Sequence, residues 1–193
     1  AKCSALYNFC RVLDDIADDD IDLDTKKGKF LKFKKNFFNK NFDNLIIKNM
    51  WELLNNENIS KLIVGDLFDG IESDLNNEIK INSQKDLLIY SYRVAGTVGL
   101  MMSKILKVKN KESLKGAIDL GIAMQLTNIS RDVMEDKKKN RQYIECNFDV
   151  IKQTIKIADI FYQRSFPAIK SIPLSSRFSV IVARRVYKKI GHY

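Results

Sequence analysis

The chain has 193 residues, 33 Lys and Arg against 24 Asp and Glu, and a formal net charge of +9. A hydrophobic content of 45% with 30% charged residues describes a globular chain and excludes a disordered tail, and the length is ample for one domain with a real core. Gly is sparse and no Pro occurs before Pro167, which excludes a sandwich of short strands and tight turns and predicts an all-α fold.

Apolar residues recur at helical spacing almost throughout. Leu6, Phe9, Leu13, Ile16 and Ala17 mark a first helix, which runs into the acidic stretch Asp18-Asp19-Asp20-Ile21-Asp22-Leu23-Asp24, read as a loop. Lys26 to Phe38 and Phe42 to Leu54 are predicted helices, and Asn55-Asn56-Glu57-Asn58 is a polar break. Ser60 caps a further helix through about Leu75, and a loop follows from Asn76 to Ser83. A long helix is expected over 85–106, another over 112–136, and two more over 148–166 and 175–190 around the proline-containing turn. No repeat, linker or boundary interrupts this pattern, so one domain over 1–193, a single bundle of about eight helices, is expected.

Cys3, Cys10 and Cys146 have no metal-binding spacing, and an odd count excludes a complete disulfide framework; a reduced, intracellular protein is the simplest reading. The single histidine, His192, argues against a His-based triad or a zinc site. The least polar run, Val94 to Met102, is far too short to span a membrane. The chain opens at Ala1 inside a helical pattern, which reads as a trimmed N-terminus. The positive charge is scattered and no nucleic-acid motif accompanies it, so no nucleic-acid partner is expected. Between Lys26 and Lys40, Phe30, Phe33 and Phe37 share a helix face among many Lys. Two readings stand: a basic amphipathic helix on an anionic membrane, or a solvated Lys face over a Phe core stripe.

Two places stack like charges on a helix. One is Asp14, Asp15 and Asp18, after Arg11; the other is Asp132, Glu135 and Asp136, after Arg131. Spacing of i, i+4 puts Asp14 with Asp18, and Asp132 with Asp136, on one face. Two carboxylates about 6 Å apart repel by roughly 3 kcal/mol at an effective dielectric of about 20, and a divalent cation is the natural compensation. Oxygen-only donors favour Mg²⁺, with Mn²⁺ possible, and Mg²⁺ completes its shell with water and substrate phosphate. Two such clusters, each beside an Arg and the second alongside Gln125 and Asn128, suggest a diphosphate held between them. Solvated acidic helix faces are the plainer alternative.

The segment Tyr7-Asn8-Phe9-Cys10-Arg11-Val12-Leu13-Asp14-Asp15-Ile16-Ala17-Asp18 resembles the first aspartate motif of the squalene/phytoene synthase family. Tyr90 to Gly99 resembles that family's central helix, and Gln125 to Asp136, with Arg141 and Tyr143, its second aspartate motif. Ile63 to Asp69 and Ala183-Arg184-Arg185-Val186-Tyr187 are similar to weaker family positions. The resemblance implies an all-α isoprenoid-synthase-type helical bundle with a central cavity. It implies Mg²⁺-dependent head-to-head joining of two prenyl diphosphates through a cyclopropyl diphosphate intermediate. Val98-Gly99-Leu100-Met101-Met102 is more like the bacterial phytoene synthases, which points to geranylgeranyl diphosphate and carotenoid biosynthesis. Squalene or dehydrosqualene synthesis from farnesyl diphosphate is the alternative, with NADPH needed only for squalene. A non-catalytic assembly or scaffold relative is the alternative of another class. A chain-elongating prenyltransferase fits the second motif less well.

Carried over by resemblance, Asp14, Asp18, Asp132 and Asp136 face Mg²⁺ with Asn128 beside them, and Asp15 and Glu135 support them. Arg11, Arg131, Arg141 and Tyr187 contact diphosphate, Gln125 lies by the metal-diphosphate site, and Tyr90 is near the reacting centre. Val94, Ala95, Val98, Gly99 and Leu126 line the cavity, with close helix packing a coexisting reading for Gly96 and Gly99. Tyr7 and Tyr92 are expected in the core. Relative to the family, the chain reads as shortened at both ends and between Tyr143 and Tyr187, with Glu145 where a Pro is usual. A hydrocarbon product leaves most readily into lipid, so a cytoplasmic protein, peripheral on the membrane face and attached through the Lys29 to Lys35 stretch, is expected. The sequence carries no signal for oligomeric state.

Overall fold

The computed structural model describes residues 2–191, so Ala1, His192 and Tyr193 lie outside the described residues. Its packing divides the chain into two compact units, one through Asn77 and one from Glu78 onward, at a junction the sequence marks only by Asn76-Asn77.

The first unit holds α1 (Lys2–Asp18), α2 (Leu23–Phe38), α3 (Leu45–Asn56) and α4 (Lys61–Ser73). Asp22 caps α2 by accepting from the Thr25 amide at 2.9 Å, so the helix starts at Leu23 and absorbs part of the expected acidic loop. Asn44 likewise caps α3, which begins three residues later than the periodicity predicts. Leu6, Phe9, Leu13 and Ala17 of α1 are buried. Phe9 meets Phe33, Phe37 and Phe68 at centroid distances of 5.8, 5.3 and 5.8 Å, and Phe30 meets Phe68 edge-on at 5.8 Å. Trp51 stacks on Phe37 and donates from Nε1 to the Phe37 carbonyl at 2.8 Å, so its one polar atom is satisfied. Phe30, Phe33 and Phe37 are thus core residues, which decides the Phe stripe of α2 in favour of core and removes it as a membrane-facing surface. Tyr7, expected in the core, is instead 65% exposed, because it falls outside the arc covered by α2, α3 and α4.

The second unit holds β1 (Ile79–Lys80), α5 (Gln84–Ser91), a π-helical turn (Tyr92–Gly96), α6 (Thr97–Ile105), α7 (Lys111–Lys138), β2 (Arg141–Gln142), α8 (Phe148–Ser165), a 3₁₀ segment (Phe166–Ser171) and α9 (Leu174–Ile190). The helix expected over 85–106 is therefore broken into α5 and α6 by a wider turn, in which the Thr97 amide donates to the Tyr92 carbonyl. α7 is the hub against which the π turn, α6, α8 and α9 pack. Glycines permit the closest approach. A Cβ on Gly99 would run into the Ala117 carbonyl oxygen, and one on Gly121 into the Ala95 carbonyl oxygen. β1 and β2 form a two-residue parallel bridge, with the Ile79 amide donating to the Asn140 carbonyl and Ile81 to Gln142, both at 3.0 Å. The sequence reading has only loop at both places.

Four helix ends explain why so few glycines suffice. Lys40, Asn58, Lys107 and Asn140 adopt positive φ just after α2, α3, α6 and α7. After α3, the Asn58 amide donates to the Asn55 carbonyl and Ile59 to Leu54; after α6, Lys107 donates to Lys104 and Val108 to Ser103. These paired bonds close the helix with Ile59 and Val108 buried behind it. At the end of α7 the Asn140 amide donates to the Lys137 carbonyl at 3.2 Å, and the chain turns there into β2.

Candidate functional site

In the first unit, the face of α1 opposite its buried Leu and Phe carries Arg11, Asp14, Asp15 and Asp18, all exposed. Arg11 Nε lies 3.0 Å from Asp15 Oδ1. The Asp14 carboxyl is pushed above the usual carboxylate range by partial withdrawal from water, then by the Asp18 charge one turn on, against the opposing pull of Arg11. Cys10, one turn earlier, is pushed up to about 12 by burial and by Asp14, so its thiol stays protonated and inert.

In the second unit, Asn128, Asp132 and Asp136 rise along one face of α7 at successive turns. The Arg131 fork closes on Asp132, with Nε donating to Oδ1 at 2.7 Å and Nη2 to Oδ2 at 2.6 Å. This bidentate bond holds the guanidinium proton more tightly than usual. Asp136 is shifted upward, first by burial; Arg141 opposes this and Asp132 adds to it. The β1–β2 bridge places Arg141 in the field of Asp136. Asn128 Oδ1 is buried and accepts no hydrogen bond, as are the hydroxyls of Ser91 and Ser130. An unsatisfied buried acceptor costs on the order of 1–3 kcal/mol, and a hard cation would satisfy the amide oxygen.

Among the described residues, no three His, Cys, Asp and Glu side chains converge into a closed metal cage. The donors come as carboxylate pairs with one orphaned amide oxygen. That set fits Mg²⁺, which takes one or two carboxylates and fills its shell from water and phosphate.

Tyr90 is buried, stacked on Tyr143 at 4.8 Å, and shares the core with Ile122, Ala123, Leu126 and Ile129. Leu126 is fully buried there, and Gly99 spends its missing Cβ on contact with α7. Val94, Ala95 and Val98 remain half-buried on the π turn and α6, and Gln125 is half-buried on α7. Tyr92, expected in the core, is half-buried and lines an open depression with Gln84, Lys85, Leu88 and Ile89. Tyr187 packs from α9 onto the core around Tyr162, and its phenol lies in the field of Arg131. The sequence reading missed three features near these residues: the π turn, the buried Tyr162 with its hydroxyl 3.0 Å from Thr127 Oγ1, and the arginine that holds α9 to α8. Only the Tyr-Arg-Val-Ala-Gly sequence hints at the first. A wide turn of this kind often marks a working position in a helix.

A family model described as squalene/phytoene synthase matches residues 2–144. A 15-cis-phytoene synthase of Enterobacter agglomerans is 32% identical over 136 residues, covering 60% of this chain and 46% of that protein. A 15-cis-phytoene synthase of Pantoea ananas is 26% identical over 219 aligned positions, covering 96% of this chain and 71% of that protein. The latter alignment is longer than the chain itself, so that relative carries internal segments without a counterpart here. The chain spans about half the length of several of the relatives it matches, 46% and 47% in two of them. Among solved structures, a dehydrosqualene synthase bound to ligand superposes with a TM-score of 0.83 at 25% identity, covering 97% of this chain and 74% of that one. A squalene synthase of Alicyclobacillus acidocaldarius shares the fold, with a TM-score of 0.76 at 15% identity and coverage of 97% and 80%.

Proposed function

As the chain belongs to the squalene/phytoene synthase family, we propose that it joins two prenyl diphosphates head to head, most specifically two geranylgeranyl diphosphates to phytoene. The observation that carries this reading is the presence of both aspartate motifs inside the matched region, each with crowded carboxyls and an adjacent arginine. Asp14 with Asp18, and Asn128 with Asp132 and Asp136, would each hold Mg²⁺, which when bound supplies a Lewis acid for a departing diphosphate.

The chain's own residues do the rest. Arg11, Arg131 and Arg141 neutralise charge as the diphosphate leaves. Arg131 is pre-aimed by its fork on Asp132 and is free to turn to a phosphate once that carboxylate is otherwise engaged. Val94, Ala95 and Val98 offer apolar surface that keeps water from an allylic cation while the second double bond attacks it. Loss of a proton from the adduct closes the cyclopropyl diphosphate; its ionisation releases the second diphosphate, and the rearranged cation gives up a further proton to leave phytoene.

A second reading, condensation of two farnesyl diphosphates to a C30 product, is favoured by the likeness to a dehydrosqualene synthase. One assay separates them. The protein is given labelled C15 and C20 diphosphates with Mg²⁺ or Mn²⁺, with and without NADPH, and the hydrocarbon is identified. A C40 product from the C20 substrate without NADPH is expected. A C30 product establishes the second reading, and no product with either substrate favours a scaffold relative.

Peripheral attachment to the cytoplasmic face of a membrane belongs to the same proposal. No described helix is long and apolar enough to cross a membrane. With the α2 phenylalanines in the core, α9 offers the better surface. Leu174 and Phe178 are 78% and 75% exposed, Val182 and Val186 follow at successive turns, Arg185 and Lys189 share that side, and α9 contains no acidic residue. Co-sedimentation with vesicles is expected to rise with anionic lipid, fall with salt, and drop on Phe178→Ser or on joint Arg185→Gln and Lys189→Gln. Binding indifferent to salt and to these changes would remove α9 from the proposal.

A further inference from the structure

α9 has no fully buried residue, yet its seating is specific. The Arg184 guanidinium donates from Nε and Nη2 to the Tyr162 carbonyl oxygen at 3.2 and 2.8 Å. It also lies over the rings of Phe166 at 4.8 Å and Tyr162 at 5.8 Å. That carbonyl stands in the last turn of α8, where helical acceptors lose their amide partners and the helix dipole is negative, and it also accepts from Ser165 Oγ at 2.9 Å. Arg184 makes no ion pair with a carboxylate among the described residues, and burial makes its charged form less favourable than usual. A partly buried guanidinium held by a carbonyl and two rings, instead of by a carboxylate, is a costly way to fasten a surface helix. A planar fork does, however, fix orientation in a way that the single Lys188–Asp159 ion pair at 3.2 Å does not.

The next turn shows what that orientation sets. Gly191, at the end of α9, lies against both α8 and α7: a Cβ there would come 2.9 Å from Ile155 Cδ1 and 3.5 Å from Thr127 Cγ2. Tyr187 is one turn before Gly191 on the same face, so it is carried onto α7 toward Arg131, one turn beyond Thr127. Thr127 in turn holds Tyr162, the residue whose carbonyl Arg184 grips. Thr127, Tyr162 and Arg184 are therefore linked in sequence across α7, α8 and α9, and Tyr187 follows Arg184 by one turn on the helix so held, packed against the same core and in the field of Arg131.

We propose that Arg184 is a positioning residue: its fork on the Tyr162 carbonyl sets the rotation of α9 so that the Tyr187 hydroxyl joins Arg131 in binding diphosphate. This inference rests on the function proposed above.

The test is a double-mutant cycle on the full chain, reading calorimetric affinity for inorganic pyrophosphate in the presence of Mg²⁺. Arg184→Met and Tyr187→Phe are each expected to weaken binding about tenfold, with the double variant no weaker than the weaker single. Arg184→Lys, which keeps the charge and one donor, is expected to recover part of the affinity when Tyr187 is present and none when it is Phe. Losses that multiply to about a hundredfold, unchanged affinity in Arg184→Met, or recovery by Lys in the Phe background would overturn the positioning role. Each variant is checked by its melting curve, and if Arg184→Met does not fold, the Arg184→Lys comparison in the two backgrounds decides alone. Asp132→Asn is measured in parallel. A protein that binds no pyrophosphate with Mg²⁺, or whose binding ignores Asp132→Asn, overturns the function reading. A normal Asp132 response with a multiplicative cycle overturns only the positioning of Tyr187.

Discussion

Asp14 and Asp136 are two carboxylates whose ionisation the fold opposes, each first through partial withdrawal from water and then through a carboxylate one turn away. Unfolded, such a group titrates near 3.8; folded, it holds its proton to a higher pH. Between those values the folded chain binds more protons, so these groups cost stability as pH rises through the window and keep that cost above it. Asp14→Asn and Asp136→Asn should therefore leave the metal-free melting temperature at neutral pH level or raised, and flatten its fall with pH above about 3.8. A clear loss of metal-free stability in both would mean that these carboxylates serve as structural ion pairs. In the assay above, Asp14→Asn or Asp132→Asn should lower turnover by roughly two orders of magnitude or more, the scale on which a lost partner of a leaving oxyanion is felt. Phe37 is the opposite kind of residue. It is fully buried and touches Phe9, Trp51 and Phe68, so Phe37→Ala should cost about 3–5 kcal/mol in a denaturant melt.

Between elements, the decisive contact is the one that α7 makes with the π turn and α6. Two glycines face backbone carbonyls across it, and neither carbonyl can move without shifting its helix. Gly121→Ala should cost about 1–3 kcal/mol, because the added methyl must push Ala95 and with it the π turn. Gly28, within α2, has open space where a Cβ would stand. Gly28→Ala should stabilise by up to about 1 kcal/mol, since only helix propensity changes. Paired thermal melts of the two variants check both signs. Equal effects would mean that the close approach at Gly121 contributes nothing. The π turn belongs to the same contact: Thr97 Oγ1 donates to the Arg93 carbonyl at 2.7 Å and fills part of the wider turn.

At the scale of the whole molecule, the expectation concerns how cation and anion act together on folding. If diphosphate completes the shell of Mg²⁺, neither ligand has its full site without the other. Mg²⁺ with pyrophosphate should then raise the melting temperature by more than the two separate shifts combined, because a ligand stabilises by its affinity for the folded state alone. Additive or absent shifts in calorimetry would contradict the shared site. The same measurement on Asp132→Asn should abolish the excess, since the variant removes one carboxylate of the α7 face.

The sequence by itself determined what is local along one helix. Period, scarce Pro and cap residues such as Asn44, Ser60 and Asn110 mark the helices, and the i, i+4 spacing of Asp14 with Asp18 and Asp132 with Asp136 fixes two carboxylate faces whatever surrounds them. The aspartate motifs carried the family likeness for the same reason, being continuous stretches of chain. Periodicity does not say what covers a face, so the Phe stripe of α2 admits both a core and a membrane-contact reading in the sequence, and the packing of Phe9 and Phe68 on it decides for the core. Nor does it signal pairings between distant residues: Ile79 with Arg141, which places the arginine near Asp136, or Arg184 with the Tyr162 carbonyl. The widening of the central helix at Tyr92–Gly96 likewise accompanies its packing against α7. Those features depend on which surfaces exclude water from one another and which carbonyls are left unpaired, and only the folded chain decides both.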